Sequence, residues 1–208
     1  MVEQERAIND MQLKIVLSQI QPHFLYNSLN AIYYLCGKDA GAAQKAISEF
    51  SDYLRGNLDS LKRNTPVPFE TELKHVETYL KLEKMRFEEE LEIVYDIQTT
   101  EFKLPALSLQ PLVENAVKHG VGKAANGGTV TISAIETENE YLVSVKDDGV
   151  GYACDEKKND GRSHIGINNV EQRLKNMCQG TLVIQSEIGK GTISTMHIPK
   201  DVSRKEIS

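Results

Sequence analysis

The stretch TVTISAIETENEYLVSVKDDGVGY, residues 129–152, predicts a β-hairpin that leads into a glycine-containing loop. Its two runs rich in β-branched residues, TVTISAI and YLVSVKD, are separated by the polar segment ETENE, which is a hairpin signal. Asp147 ends the second run, and Gly149 and Gly151 follow it. Glycine permits backbone conformations and a close ligand approach that a side chain would block. The stretch therefore combines a sheet with a candidate binding loop.

Similar strand-like runs and two helical segments surround this hairpin. The strand-like runs are LEIVYDI (91–97), TLVIQSE (181–187) and TISTMHI (192–198). The helical segments are LPALSLQPLVENAVKH (104–119) and GINNVEQRLKNM (166–177). Because strands and helices segregate instead of alternating regularly, their order favours an α+β fold.

The first third of the chain predicts a helical hairpin. Its first helix, within residues 4–36, carries two apolar stripes at spacings of three and four: Leu13, Leu17, Ile20 and Phe24, then Leu25, Leu29, Ile32 and Cys36. Gly37 would end this helix, and a second helix is predicted from about residue 40 to 63. Two helices alone cannot bury two stripes, so we expect the hairpin to dimerise into a four-helix bundle.

The segment NTPVP at 64–68 is the clearest break along the chain, because it has two prolines within three residues. It predicts a first domain over 1–65 and a second over 66–208. The second domain would begin with a helix at FETELKHVETYLKLEKMRF (69–87) and continue into the sheet.

Composition limits the class of protein. The 208 residues include 30 acidic and 24 basic side chains, a net charge of −6, which argues against nucleic acid as the main partner. The sequence has no run of about 18 apolar residues and no signal-peptide pattern. The three cysteines, Cys36, Cys154 and Cys178, form no C-x-x-C pair and fit a reducing compartment. We therefore expect a soluble cytoplasmic protein or the cytoplasmic part of a longer one.

The segment QIQPHFLYN, residues 19–27, places a histidine beside a costly proline. Pro22 in mid-helix removes one backbone hydrogen bond, at about 3 kcal/mol. On a helical wheel His23 shares its face with Asn27 and other amides, on the polar side of an apolar helix. A neutral imidazole is a competent nucleophile at cytosolic pH. Taken alone, His23 is better explained as a surface histidine at a kink than as a nucleophile.

The segment LVENAVKHG, residues 112–120, gathers four polar side chains on about one and a half helical turns: Glu114, Asn115, Lys118 and His119. An amide and a carboxylate can hold Mg²⁺ directly or through its water. A lysine and a histidine one turn later can contact phosphate oxygens. The alternative is an ordinary salt bridge between positions i and i+4 on a solvated face.

Asp147 and three further glycine sites suit a nucleotide. A carboxylate at the end of a strand could accept a hydrogen bond from an exocyclic amine such as that of adenine. Gly166 opens a predicted helix, whose free N–H groups could meet phosphate. Gly189 and Gly191 lie in GKGT (189–192) before a strand. Singly, each motif is also explained by a plain turn.

The order and spacing of these motifs resemble the sensor histidine kinases of the LytS/YesM type, whose ATP-binding domain has the Bergerat (GHKL) fold. The motif around His23 is similar to the phosphoacceptor box of that family, and residues 107–120 resemble its N box. The D-x-G-x-G box corresponds to residues 147–151, the glycine box to 164–174 and the last glycine motif to 189–192. The resemblance implies an α+β protein with a dimeric helical hairpin followed by a two-layer α/β sandwich.

The resemblance also implies roles for individual residues. His23 would be phosphorylated by ATP and would pass the phosphoryl group to an aspartate of a response regulator. Mg²⁺ would be held by Asn115, with Glu114 ordering a metal-bound water, while Lys118 and His119 would face the phosphates. The adenine pocket and the phosphate cradle would be formed by Asp147, Thr192, Gly149, Gly151, Gly166, Gly189 and Gly191. Residues 152–165 would form a lid over ATP.

Two positions depart from the family pattern. Phe24 stands where many histidine kinases have an acidic residue after the phosphoacceptor, which leaves Asn27 as the polar neighbour that could orient a water for dephosphorylation. His164 stands where a fuller glycine box would have glycine. The family resemblance further implies a hinge near 64–68 and tethering to a membrane sensor. An ATP-gated switch, a degenerate kinase acting as a scaffold, and an α+β binding module are the alternatives.

Overall fold

The computed structural model describes residues 22–61, 63, 65–153 and 163–200. The predicted stripe residues Leu13, Leu17 and Ile20 therefore lie outside the described residues, as does most of the predicted lid. The chain forms two compact units, Met1–Arg63 with Glu77–Arg86, and Asn64–Val76 with Phe87–Ser208. The division into domains 1–65 and 66–208 stays a prediction. The two compact units follow a different criterion, which places Glu77–Arg86 with the first unit.

Two helices form the hairpin of the first unit, α1 (Pro22–Lys38) and α2 (Ala40–Leu61). Only Asp39 separates them, and its carboxylate accepts a hydrogen bond of 2.9 Å from the backbone N–H of Ala42. A helix N-terminus needs such an acceptor for its free N–H groups. The prediction that Gly37 ends the first helix is wrong, because α1 continues to Lys38 and Asp39 provides the cap of α2.

Three aromatic rings form the centre of the first unit. Phe24 of α1 lies 4.8 Å from Tyr53 of α2, measured between ring centroids, and 5.1 Å from Tyr79. Tyr79 belongs to α3 (Phe69–Phe87), the helix predicted over the same residues. All three rings are buried. Tilted aromatic pairs at these distances add specific attraction to the burial of their apolar surface.

A five-stranded mixed sheet forms the second unit. Its strands are β2 (Leu91–Ile97), β4 (Gly128–Glu136), β5 (Glu140–Asp147), β6 (Thr181–Glu187) and β7 (Gly191–Pro199), in the spatial order β2-β4-β5-β7-β6. The β2–β4 pair is parallel, and the other pairs are antiparallel. The predicted hairpin is confirmed as β4–β5. A separate antiparallel pair joins β1 (Val67–Pro68) to β3 (Lys103–Leu104).

Helices cover the sheet of the second unit. Helix α4 (Leu109–Asn115) continues into a π-helical turn (Ala116–Gly120), which contacts β4, β5 and β7. Helix α5 (Ser163–Cys178) contacts β6 and β7. Buried residues alternate along β4, as in a sheet packed on one face. Helices followed by a mixed, helix-covered sheet confirm the predicted α+β class.

The start of α4 differs from its prediction. The expected helix over 104–119 does not begin at Leu104, which belongs to β3, but at Leu109. Leu107 has a φ of +56°, a left-handed conformation that cannot continue a helix from residue 104. A tight turn therefore precedes α4.

None of the helices in the described part of the chain is long and apolar enough to cross a membrane.

Candidate functional site

His23 lies exposed in the first turn of the described part of α1. The side-chain nitrogen of Asn27 lies 3.2 Å from Nδ1 and 3.3 Å from Nε2 of the imidazole. A neutral imidazole has one acceptor nitrogen, so the Asn27 amide can donate to whichever nitrogen lacks a proton. The predicted pair of His23 and Asn27 therefore shares one exposed helix face with the imidazole accessible.

Phe24, the residue that departs from the family pattern, has a packing role. It lies in the aromatic cluster with Tyr53 and Tyr79 and is only 5% exposed. Neighbouring residues of a helix project about 100° apart, so a ring fixed in the core turns the preceding side chain towards the surface. An acidic side chain at position 24 would be buried among aromatic rings, which explains why the polar neighbour is Asn27 instead.

The four polar residues of the N box lie where α4 passes into the π-helical turn. Glu114 and Asn115 end the regular helix, and Lys118 and His119 belong to the wider turn. Lys118 is exposed, and the other three are half-buried. The side-chain amide of Gln110 donates a 2.6 Å hydrogen bond to Oε1 of Glu114. A π-helical turn inside a helix often marks a functional site because it redirects side chains locally.

Asp147 is a buried carboxylate at the end of β5, with 3% of its surface exposed. Its Oδ1 accepts a 3.1 Å hydrogen bond from the N–H of Gly149. Burial raises the pKa of Asp147, while hydrogen bonds from the backbone of Gly149 and Thr192 oppose that rise and the charge of Asp148 adds to it. Thr192 is the cross-strand partner of Asp147 in β7.

Two glycines bring the N box against Asp147. A Cβ atom on Gly120, the last residue of the π-helical turn, would overlap the Asp147 carboxylate. A Cβ atom on Gly149 would overlap the backbone of Gly120. The end of the N box and the D-x-G-x-G box therefore meet at van der Waals contact, although they are distant in sequence. This contact brings the predicted phosphate and adenine groups into one region of the second unit.

The last glycine motif lies on the other side of Asp147. A Cβ atom on Gly191 would overlap the carbonyl of Asp147, and one on Gly151 would overlap the carbonyl of Glu187. The N–H of Gly189 donates a 2.8 Å hydrogen bond to the carbonyl of Val150, while a Cβ there would meet nothing within 4 Å. Gly151 and Gly191 are thus required by close main-chain contacts, whereas Gly189 is favoured by its φ of +76°.

Gly166 is the predicted site residue with the loosest packing. It lies in the first turn of α5, and a Cβ atom there would meet only Pro111, at 3.9 Å. Space does not demand glycine at this position. Most of the predicted lid, and the side chain of His164, lie outside the described residues.

Three supporting residues escaped the sequence-based prediction. Ser186 Oγ lies 2.9 Å from Thr192 Oγ1 and accepts a 3.0 Å hydrogen bond from the N–H of Tyr152. The Asp148 carboxylate accepts a 2.6 Å hydrogen bond from the N–H of Thr129, which fixes the loop after β5 to the start of β4. Glu72 accepts three backbone hydrogen bonds at the start of α4. The stretch that begins at Glu72 resembles the linker helix of the family, but the partners of its carboxylate lie 35 to 37 residues away, so the sequence does not predict this contact.

The oxygen donors of the N box fit a magnesium ion. Mg²⁺ prefers carboxylate and amide oxygens and keeps several waters while phosphates complete its shell. Glu114 and Asn115 offer one carboxylate and one amide at adjacent positions, both half-buried and reachable from solvent. These two side chains therefore suit a hydrated Mg²⁺ ion shared with a phosphate chain.

Comparison with known proteins places both parts of the chain. Residues 11–91 match the histidine kinase domain family, and residues 104–202 match the family of histidine kinase-, DNA gyrase B- and HSP90-like ATPases. The histidine kinase domain of the blue-light activated kinase from Erythrobacter litoralis EL346 has a similar fold, with a TM-score of 0.54 over 94% of each chain at 18% identity. These two domains in this order define the class as a histidine kinase core.

Two relatives narrow the class. The sensor protein LytS of Bacillus anthracis is 33% identical over 216 aligned residues, which cover 98% of this chain and 36% of LytS. YwpD of Bacillus subtilis (strain 168), an uncharacterized protein, is 39% identical over 90% of this chain and 70% of YwpD. The chain is a histidine kinase core of the LytS type, and it spans about a third of the length of LytS.

Proposed function

We propose that this chain catalyses ATP-dependent phosphorylation of its own His23 and transfers the phosphoryl group to an aspartate of a response regulator. The observation that carries this proposal is the contact of Gly120 with Asp147 and Gly149, which joins a phosphate-binding element to an adenine-binding element. Family membership supplies the class of reaction. The exposed imidazole of His23 supplies an acceptor of the required chemistry.

Adenine recognition is assigned to Asp147 and its neighbours. An ionised carboxylate can accept a hydrogen bond from the exocyclic amine of adenine, and Thr192 lies beside it on β7. Ser186 holds the Thr192 hydroxyl in place. Gly149, Gly151 and Gly191 would shape the adenine pocket through their close main-chain contacts. A side chain at any of these positions would overlap the neighbouring main chain and push it away.

Phosphate recognition is assigned to the N box. Lys118 and His119 would face the phosphate oxygens, while Asn115, assisted by Glu114, would hold Mg²⁺, whose charge would offset that of the phosphates. Gly166 would contribute a backbone N–H group near the phosphates, whereas Gly189, whose N–H already donates to Val150, would shape the loop beside them. Phosphoryl transfer depends mostly on in-line placement and charge neutralisation, which these residues would supply.

The transfer itself exchanges one bond for another. The lone pair of an imidazole nitrogen of His23 attacks the γ-phosphorus, a nitrogen–phosphorus bond forms, and the bond to the bridging oxygen breaks to release ADP. A carboxylate oxygen of the response regulator then takes the phosphoryl group, and the imidazole is restored. The Asn27 amide positions the ring during transfer and can orient a water when phosphohistidine is hydrolysed. A hinge near 64–68 would allow the two domains, 1–65 and 66–208, to meet for each reaction.

A homodimer through the helical hairpin is supported by the exposed side chains of α1. Tyr26, Leu29 and Tyr33 are large apolar or aromatic residues at spacings of three and four, and all are exposed. In the second predicted stripe Ile32 is buried, whereas Leu29 and Cys36 remain exposed. Such a helix face is stabilised when it packs against a second copy. We propose that this face forms the four-helix bundle of the dimer.

The full-length context is also proposed. The chain covers about a third of LytS, which is named a sensor protein. We infer that the catalytic core acts in the cytoplasm, tethered to a membrane sensor elsewhere in the whole protein.

Phosphorylation with γ-labelled ATP and Mg²⁺ tests the function. The wild type should gain label that is lost in acid and retained in alkali. His23→Gln should gain none while still binding ATP, and Asn115→Ala should lose both label and ATP affinity. Gln44→Asn, at an exposed amide on α2, serves as the control and should be labelled like the wild type.

A wild type that binds Mg·ATP but never forms acid-labile phosphohistidine would contradict the kinase assignment. It would favour an ATP-gated switch or a scaffold.

A further inference from the structure

We propose that Glu72 is a positioning residue of the nucleotide site, because its carboxylate fixes the start of the helix that presents Glu114 and Asn115. The proposal rests on the proposed function, since it assigns a new role within the same ATP site. It concerns a residue of α3 that lies outside the five sequence boxes.

The contacts of Glu72 are made by both carboxylate oxygens. Oε1 accepts a 2.8 Å hydrogen bond from the N–H of Leu107, and Oε2 accepts hydrogen bonds of 3.0 Å and 3.3 Å from the N–H groups of Ser108 and Leu109. Glu72 is only 1% exposed. Three consecutive backbone donors are therefore satisfied by one buried side chain.

The turn before α4 needs an acceptor that its own residues do not provide. The first N–H groups of any helix have no partner within that helix. Ser108 precedes α4 without a side-chain capping bond, and its hydroxyl oxygen is buried with no hydrogen-bond partner among the described residues. Water does not reach the backbone here, because Ser108 and Leu109 are fully buried. Glu72 replaces the missing local cap from another helix.

Arg173 contacts the same turn as a hydrogen-bond donor, whereas Glu72 contacts it as an acceptor. Its guanidinium donates a 2.9 Å hydrogen bond to the carbonyl of Ala106. Burial raises the pKa of the Glu72 carboxyl, while the three N–H donors and the charge of Arg173 lower it. The turn at Ala106–Leu109 is thus fixed at its carbonyl by α5 and at its amides by α3.

The position of the cap determines where Asn115 lies. Six residue steps separate Leu109 from Asn115, which is about 9 Å along a helix. A tilt of roughly 10° at the start of α4 would move the far end by about 1.5 Å. A misplacement near 1 Å can cost about a hundredfold in rate when the moved group positions a reacting ligand. Small changes at Glu72 should therefore be felt at the ATP phosphates.

Glu72→Gln is the sharpest substitution. Glutamine has nearly the same shape, but its amide nitrogen cannot accept a hydrogen bond. Either the Leu107 N–H or those of Ser108 and Leu109 then lose their acceptor. The matched control is Glu70→Gln, an exposed carboxylate two residues earlier that bonds the Thr100 hydroxyl at 3.1 Å.

Equilibrium ATP binding, with Mg²⁺ and well below the melting temperature, gives the primary measurement. We expect Glu72→Gln to raise the Kd for ATP by about tenfold or more, as a misplaced binding group should. Glu70→Gln should stay within about twofold, the size of effect usual for an exposed side chain. A purely structural role would lower the melting temperature of the ATP-free protein but leave the Kd of the folded protein unchanged, and that result would overturn the proposal.

A double variant tests whether Glu72 acts through Asn115. If it does, Glu72→Gln combined with Asn115→Ala should bind ATP about as weakly as Asn115→Ala alone, because residues in one network are not additive. Multiplication of the two single effects would overturn the proposal. Should Glu72→Gln not fold, Glu72→Asp, which keeps a carboxylate but shortens its reach, replaces it in both comparisons.

The binding measurement also separates this inference from the function. A wild type that binds ATP but does not label His23 defeats the kinase assignment and leaves the Glu72 comparison valid. A wild type that labels His23, with Glu72→Gln binding ATP normally, defeats the inference alone.

Discussion

Asp147 is almost completely buried, yet its proposed role requires an ionised carboxylate. Its carboxylate lies between the backbone of Gly149 and that of Thr192, at the point where Gly120 approaches most closely. Burial raises its pKa above the ordinary value of 3.8. The folded protein therefore binds a proton here more readily than the unfolded chain does. The stabilisation due to this proton is fully present below the unfolded pKa and is lost as pH rises through the folded pKa.

ATP binding should depend on pH in the opposite direction. The ionised Asp147 accepts the adenine amine, so the Kd for ATP should rise as pH falls through the elevated pKa of Asp147. Asp147→Asn should bind weakly at every pH, and the ratio of its Kd to that of the wild type should shrink towards acid. Titration of the nucleotide phosphates is common to both proteins and cancels in that ratio.

Binding assays from pH 8 down to the acid limit of folding measure this ratio. Asp96→Asn, an exposed carboxylate on β2, is the control and should follow the wild type. A ratio of Asp147→Asn to wild type that does not change with pH would contradict the role of the ionised carboxylate.

At the scale of single residues, the sequence proposes chemistry but does not show surroundings. The type and order of side chains make His23, Asn115 and Asp147 predicted site residues. The burial of Asp147 could not be predicted, because it arises from glycines that lie in other segments. Glu72 begins the stretch ELKHVETYLKLEKMRF, which resembles the linker helix of the family, but its role as an acceptor is shown only by its partners at Leu107–Leu109.

At the scale of elements, α1 depends on its aromatic anchor. Phe24 packs against Tyr53 and Tyr79, one ring from each of the other two helical segments of the first unit. This arrangement sets the rotation of α1 about its axis and hence the direction in which His23 points. Removal of the Phe24 ring should therefore destabilise the first unit and make the orientation of His23 less fixed.

Phe24→Ala should lower the stability of the first unit by about 3–5 kcal/mol, the usual cost of deleting a buried phenylalanine ring. Urea unfolding followed by circular dichroism should give two transitions, of which ATP shifts only that of the second unit. Phe24→Ala should move the transition that ATP does not shift.

Tyr34→Ala is the matched control, because Tyr34 is exposed and the ammonium of Lys38 lies 4.3 Å from the centroid of its ring. It should cost about 1 kcal/mol or less. A Phe24→Ala change confined to the ATP-sensitive transition would disprove the anchoring role.

Elements with local signals were predicted well, and those set by distant contacts were not. The strands β2, β6 and β7 and the helix α3 follow the alternation and spacing of their own residues. The start of α4 was misplaced because Leu107 is left-handed, and its N–H is bonded by Glu72 from another helix. The π-helical turn was also missed, and its last residue, Gly120, packs against the distant Asp147.

At the scale of the whole molecule, the proposed dimer would bury the exposed face of α1. Tyr33 is 82% exposed, an unusual state for a large aromatic residue on a helix that carries a buried stripe. Together with Tyr26 and Leu29 it gives α1 a second apolar face. Isolated exposed apolar residues are common, but a contiguous face indicates an interaction surface.

Tyr33→Glu should convert the dimer to a monomer, because two carboxylates would be placed in the apolar interface without partners. Sedimentation or light scattering at micromolar concentration measures the mass directly. Val183→Glu, an exposed apolar position on β6 of the second unit, is the control and should remain dimeric. A wild-type monomer, or a dimer that persists in Tyr33→Glu, would exclude this face as the interface.

The glycines of the second unit have a consequence for reading other members of the family. Glycine is required at positions 151 and 191 because a Cβ atom there would overlap main-chain carbonyl groups, and this requirement does not depend on a ligand. A relative that had lost phosphotransfer activity would keep these glycines, because replacing them would disrupt the main-chain contacts of the fold. Loss of activity would be visible first as substitutions at His23 and Asn115. An inactive relative is therefore recognised in its sequence by these two polar positions, whereas conserved glycines indicate only common ancestry.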